Sequence, residues 1–432
     1  MRTHATFVCA YEDISTAYGC SFAVKCYLCG ENVNNPKTVK TMRKLIFSLF
    51  ALLGISLNAG AQQSGFNLIV VGDTQPQTEA QFTELERDIM PGIAAIVEEY
   101  KATSELPTAI LLTGDIVWDT LDLLPRVKAL FEALDVPIYA VIGNHDHDRK
   151  LAKNERLAEA EFINIFGSTH YAFTLGETLF VALDNIDYHN YEDYSLDVSR
   201  EQRRWLKSII ADVPMDKRIA VAMHASAFDY RNDKKPYNYT DKLLRILDGR
   251  RVNFITGHRH RHATTEFNDK VIEHNVAQVN GNLWFAPICS DGTPRSVFCI
   301  EERDGEWQWH YRTLGQEANK QLVVWNEGAV KDNEEYIVMK VVGWDDKWSV
   351  EWFEDGHSRG AMEQISIFDP DYAYYVENIA NYNETVMARL RRSAEIYNHY
   401  YRCRRTSPNS EITIVATDRF GREFREVIRP TE

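Results

Sequence analysis

Five residues with chemistry in their side chains, Asn144-His145-Asp146-His147-Asp148, follow the short apolar run PIYAVIG. An amide, two imidazoles and two carboxylates in a row offer metal ligands and proton-transfer groups. The same texture recurs along the chain. Gly72-Asp73-Thr74-Gln75 follows NLIVV, Gly114-Asp115 follows AILLT, His224 follows IAVAM, and Gly257-His258-Arg259-His260 follows NFIT. Mixed nitrogen and oxygen donors of this kind suit divalent cations. Two such cations side by side can clamp a phosphate, activate water and stabilise a leaving oxygen.

The segments that must position these groups are short β-rich runs, FNLIVV, AILL, PIYAVI, LFVAL, RIAVAMH and VNFIT. They alternate with helix-like stretches such as QFTELERDIMPGIAAIVEEYKA and SREQRRWLKSIIAD. Runs that are apolar almost throughout fit strands covered on both faces, and strand–helix alternation predicts a layered α/β domain. In open α/β sheets ligands bind beyond the carboxyl ends of the strands, where each of these motifs falls. From about residue 317 the texture changes to alternating, Trp- and Tyr-rich segments, EEYIVMKVVGWDDKWSVEWFEDG and EITIVATDRFGREFREVI, which predicts a smaller C-terminal β-rich domain over 317–432.

Taken in order, Asp73, Asp115, Asn144-His145, His224 and His258-x-His260 resemble the signature of the calcineurin-like metallophosphoesterases. The resemblance spans roughly residues 66–300. It implies a sandwich of two β-sheets flanked by helices, with a two-metal centre within a catalytic domain over 62–316. By that resemblance one metal takes Asp73, Gln75, Asp115 and His260. The other shares Asp115 as a bridge and adds Asn144, His224 and His258. A metal-bound hydroxide would attack the phosphorus of a phosphate ester while His145 protonates the leaving group and Asp146 orients or polarises His145. Where the family usually has Asp-x-His, this chain has Asp73-Thr74-Gln75. An amide oxygen is a harder, weaker ligand than imidazole and shifts the expected ions from Zn²⁺ or Fe²⁺ toward Mn²⁺ or Mg²⁺. GNLWFAPICSDGTP, WSVEWFEDG and VATDRFGREF look like the C-terminal domain of exported bacterial members of the same superfamily.

The longest apolar run, Leu45–Leu57, follows Met42-Arg43-Lys44 and ends at Ala59-Gly60-Ala61. A basic start, a short apolar stretch and a small-x-small site predict a signal peptide over 42–61, cleaved near Ala61, and residues 1–41 are then expected to be a non-native upstream extension. The run is shorter than the roughly 20 residues of a membrane span, so no transmembrane segment is expected in the mature chain. The protein is therefore expected to be exported, periplasmic or extracellular.

A net charge of −15 argues against nucleic acid as a partner, since binding a polyanion relies on Lys and Arg. It leaves open a small-molecule or lipid- or glycan-linked phosphoester, because bound metals invert the local field. Cys26-x-x-Cys29 has no second pair to complete a zinc site, and downstream only Cys289, Cys299 and Cys403 remain, an odd number that predicts no dense disulfide framework.

Outside the signature, His262 reads as a surface or loop residue, His170, His189 and His274 as structural or substrate-edge residues, Asp184 as a turn cap, SDGTP at 290–294 as a turn, and the Arg-rich stretch 389–405 as a solvated face, with binding of an anionic lipid or glycan as its alternative. His147 and Asp148 receive no role. Two rival functions stand beside a phosphomonoesterase: a phosphodiesterase or nucleotidase, and a non-catalytic surface binding protein that retains metal.

Overall fold

The computed structural model describes residues 65–430, apart from 154, 192 and 230–233. The proposed leader and upstream extension lie outside the described residues. Two sheets form the centre. The first orders its strands 306–313, 296–303, 65–71, 108–112, 138–140; the second orders them 263–266, 271–275, 252–256, 219–222, 178–182, 171–175.

Period-two alternation divides each strand between two hydrophobic layers. Leu68, Val70, Ala109 and Leu111 point to the other sheet, where they meet Phe180, Ala182, Ala220, Ala222 and Ile255. Their neighbours Ile69, Val71, Ile110 and Leu112 face outward onto Ile93, Ile96, Val97, Val127 and Phe131 of the helices Met90–Thr103 and Leu124–Glu132. On the far side Val181, Ile219, Val221 and Phe254 are covered by Leu206 and Leu243 from the helices Arg200–Ile209 and Asn238–Ile246. The layers therefore run helix, sheet, sheet, helix. Both faces of each central strand are dry, which is why the sequence shows unbroken apolar runs. Each fully buried Val, Leu, Ile or Phe contributes roughly 1.5–3 kcal/mol.

Strands 65–71, 108–112 and 138–140 are mutually parallel, as are 178–182, 219–222, 252–256 and 271–275. Their carboxyl ends meet at one end of the sandwich. Strand 296–303 joins antiparallel to 65–71, and 306–313 joins antiparallel to 296–303.

Beyond them, two four-stranded antiparallel sheets enclose a second core of Ile337, Met339, Val341, Ile412, Ile414 and Ala416. A buried lysine, paired within this region, also bonds to the rest. Lys340 Nζ lies 2.7 Å from Asp369 Oδ2 and donates at 2.6 Å to the Gly292 carbonyl of the SDGTP turn. Asp291 closes that turn by accepting from Thr293 N at 3.0 Å. Among the described residues Cys289, Cys299 and Cys403 are all buried free thiols, and no helix is long and apolar enough to cross a membrane.

Candidate metal centre

Asp73, Asp115, Asn144, His224 and His258 each lie just beyond the end of a strand, so the converging strand ends carry them to one place. His224 sets the frame. Its Nδ1–H donates to the Thr113 carbonyl at 2.8 Å, across the gap between the sheets, which leaves Nε2 as a lone-pair donor. Around Nε2 stand Asn144 Oδ1 at 3.1 Å, His258 Nδ1 at 3.1 Å and Asp115 Oδ1 at 3.3 Å. Four acceptor atoms facing one another call for a shared cation.

A second group adjoins through Asp115. Gln75 Nε2 donates to Asp115 Oδ2 at 2.6 Å, and His260 Nε2 lies 3.7 Å from Asp73 Oδ2, which accepts from His258 N at 3.0 Å. Asp73 Oδ1 and Gln75 Oε1 are buried without any hydrogen-bond partner. An orphaned buried oxygen costs about 1–3 kcal/mol unless a cation meets it. The donor set therefore fits two divalent ions sharing Asp115, with harder oxygen ligands around the first.

The electrostatics agree. Burial and then the neighbouring Asp115 charge push the Asp73 carboxyl up to about 8, although His224 opposes this. Burial works against Asp115 as well, but His224 and His145 hold its carboxyl below the usual range. Burial resists protonation of His224, yet the Asp115 charge raises it to about 9. Burial holds His258 down to about 4 and His260 to about 3, so both rings keep a free lone pair at neutral pH.

The backbone is strained where these side chains attach. Gln75, Asp115, His258 and His260 have φ of 42°, 49°, 68° and 58°, a region unfavourable for residues with a Cβ. Trp284 braces the first of them, its indole N–H shared between the Thr74 and Gln75 carbonyls at 3.0 Å. Gly143 is needed for space: a Cβ there would collide with the backbone nitrogen and Oδ1 of Asp115.

The His145 ring is held by a carboxylate outside the signature. Nδ1 lies 2.9 Å from Asp119 Oδ1, and Arg149 holds the other Asp119 oxygen at 2.9 Å. Asp146 does not touch the ring. It is fully buried and accepts from the amides of Val117 at 3.0 Å and Gly143 at 2.9 Å, so it fixes the loop. Asp119 thus orients the ring, while Asp146 acts on it through its charge. Trp118 lies against the His145 ring with centroids 4.7 Å apart, and Arg389 sits over Trp118 at 4.8 Å.

Family models match residues 66–262, as calcineurin-like phosphoesterase, and 273–424, as the C terminal of calcineurin-like phosphoesterase. The chain belongs to this family. As a calcineurin-like phosphoesterase it is a phosphate-ester hydrolase. No curated protein matches it. Solved structures with similar folds include a dimetal phosphatase from Danio rerio, 14% identical over 58% of this chain and 99% of that one, TM-score 0.37. A purple acid phosphatase from yellow lupin (Lupinus luteus) seeds is 14% identical over 58% and 52%, TM-score 0.41. A 5'-nucleotidase from Candida albicans is 12% identical over 57% and 51%, TM-score 0.35.

Four further histidines of this calcineurin-like phosphoesterase contact groups other than the proposed metal ligands. His262 bonds Tyr311 Oη at 3.2 Å and the Trp344 carbonyl at 3.0 Å. His170 packs on Trp205, His274 Nε2 lies 3.1 Å from Asn253, and exposed His189 lies 3.0 Å from Ser195 Oγ. Asp184 does cap a turn, accepting from Ile186 N at 2.9 Å. The Arg-rich stretch is only partly a solvated face, since Arg391 pairs with exposed Glu384 while Arg389 reaches Trp118. Asp119, Trp118 and Arg389 escaped the sequence reading because their partners lie far along the chain.

Proposed function

We propose that this protein is an exported metal-dependent phosphoesterase. The proposed catalytic part is 62–316 and the accessory part 317–432. One metal site is formed by Asp73, Gln75, Asp115 and His260, the other by Asp115, Asn144, His224 and His258. The convergence of acceptor-only atoms on His224 Nε2, beside the orphaned oxygens of Asp73 and Gln75, carries this reading. Two divalent ions there would supply Lewis acidity and an activated water.

The chain's own residues do the rest. Asp115 joins the two groups and also accepts from the His145 amide at 2.9 Å, which sets the acid-bearing loop against the metal ligands. His145 stands as general acid: burial opposes its protonation, but the charges of Asp115 and Asp119 raise its pKa. Asp119 orients the ring through Nδ1 and leaves Nε2 to give a proton to the leaving oxygen. Trp118 and Arg389 form one wall beside that ring, where a leaving group would rest.

The test is metal content by elemental analysis together with hydrolysis of bis-p-nitrophenyl and p-nitrophenyl phosphate with Mn²⁺, Mg²⁺ or Zn²⁺. Turnover of either ester supports the reading, and the preferred ester separates diesterase from monoesterase. Metal-loaded, folded protein inert toward both would favour a binding protein.

A further inference from the structure

Behind the acid-bearing loop lies a group that the proposed chemistry does not use. His147, Glu155, Glu159 and Asp184 each offer one ligand atom, and these atoms lie within 4.8 Å of one another. The His147 ring is fully buried, and its Nδ1–H donates to the Gly143 carbonyl at 2.8 Å. That bond fixes the tautomer that ligating histidines adopt. Nε2 then faces carboxylate oxygens, Glu155 Oε1 at 3.2 Å and Asp184 Oδ2 at 3.7 Å. Neither Nε2 nor Glu155 Oε1 has a hydrogen-bond partner.

The carboxylates are oriented in advance. Glu155 is anchored by one oxygen, Oε2, to Tyr188 N at 2.9 Å, and Asp184 by Oδ1 to Ile186 N at 2.9 Å. In both, the other oxygen faces His147. Burial, then the Asp184 and Glu155 charges, push the Glu159 carboxyl up to about 8, with His147 opposing.

We propose that His147, Glu155, Glu159 and Asp184 form a third divalent-cation site, separate from the Asp115 pair and structural in role. One imidazole nitrogen with three carboxylates suits Mn²⁺ or Zn²⁺ better than an all-oxygen cation such as Ca²⁺. The ion would tie the loop that carries Asn144 and His145 to the 155–159 segment and to the end of strand Thr178–Ala182. The hairpin of strands 186–190 and 193–196 closes over the same place, with Tyr188 Oη donating to the Asn144 carbonyl at 2.9 Å.

The experiment loads the full-length protein with Mn²⁺ or, separately, Zn²⁺, removes free metal and counts bound ions. Wild type should hold three per chain, Asp184→Asn and Glu159→Gln two, and the double variant Asp115→Asn/His224→Ala one. Glu159 is only half-buried, so its variant serves if Asp184→Asn does not fold. A second readout is the rise in Tm on adding Mn²⁺ to the double variant, which Glu159→Gln should abolish. Wild type and Glu159→Gln both holding two would overturn the third site, leaving His147 a protonated partner of the carboxylates, while sparing the catalytic pair. One ion that Glu159→Gln removes and the double variant keeps would support the third site and sink the catalytic pair.

Discussion

Asp119 grips the His145 ring at 2.9 Å from 26 residues away, and Arg149 fastens Asp119 from the other side. The proposed acid is thus positioned by a carboxylate outside the family signature. Asp119→Asn should lower the His145 pKa. Because the acid must be protonated, the alkaline limb of the kcat profile should move to lower pH, with the acidic limb in place. An unchanged alkaline limb would remove Asp119 from this role.

His145→Ala should lower kcat by about 10²- to 10⁴-fold, the range of a lost proton donor, with metal content retained. Asp115→Ala removes the atom shared by both groups, so metal content and turnover should fall together. Elemental analysis beside kinetics separates the two cases.

Gly143→Ala is expected to imitate Asp115→Ala, since the new methyl must displace the Asp115 backbone. Reduced metal retention with the fold intact, read by circular dichroism, is the expected outcome; wild-type retention would mean the loop yields freely.

Arg389→Ala should leave Tm within about 1 °C, as an exposed side chain changes stability by no more than ~0.5 kcal/mol. It should nevertheless reduce kcat/KM several-fold, because a cation–π contact of about 1 kcal/mol beside the acid is lost. Equal kinetics for both proteins would make the wall ornamental.

Asp369→Ala leaves the Lys340 ammonium buried against Gly292 with its carboxylate gone. The expected loss is roughly 3–5 kcal/mol, read by denaturant unfolding. Replacing Lys340 with Met as well should recover much of it.

The layered fold was legible because its strands are dry on both faces, so Leu68 and Ile69 are both apolar although they point opposite ways. The candidate site was legible for a related reason: each proposed ligand follows shortly after a strand ends, a position that pattern alone marks. Asp119 was not, because a single carboxylate in the irregular stretch after Asp115 belongs to no pattern, and only the fold brings it to His145. The inward aim of Asp184 was hidden behind its own turn, one oxygen serving Ile186 and the other His147.

The left-handed backbone at Gln75, Asp115, His258 and His260 bears on evolution as well as geometry. Exchange of a ligand at these positions must satisfy two filters, donor chemistry and tolerance of an uncomfortable torsion. Asn, Asp, His and Gly pass the second most easily. At residue 75 the Trp284 bond falls on the backbone carbonyl and survives a change of side chain, so replacement of this glutamine by histidine has one support to re-form, the side-chain bond to Asp115.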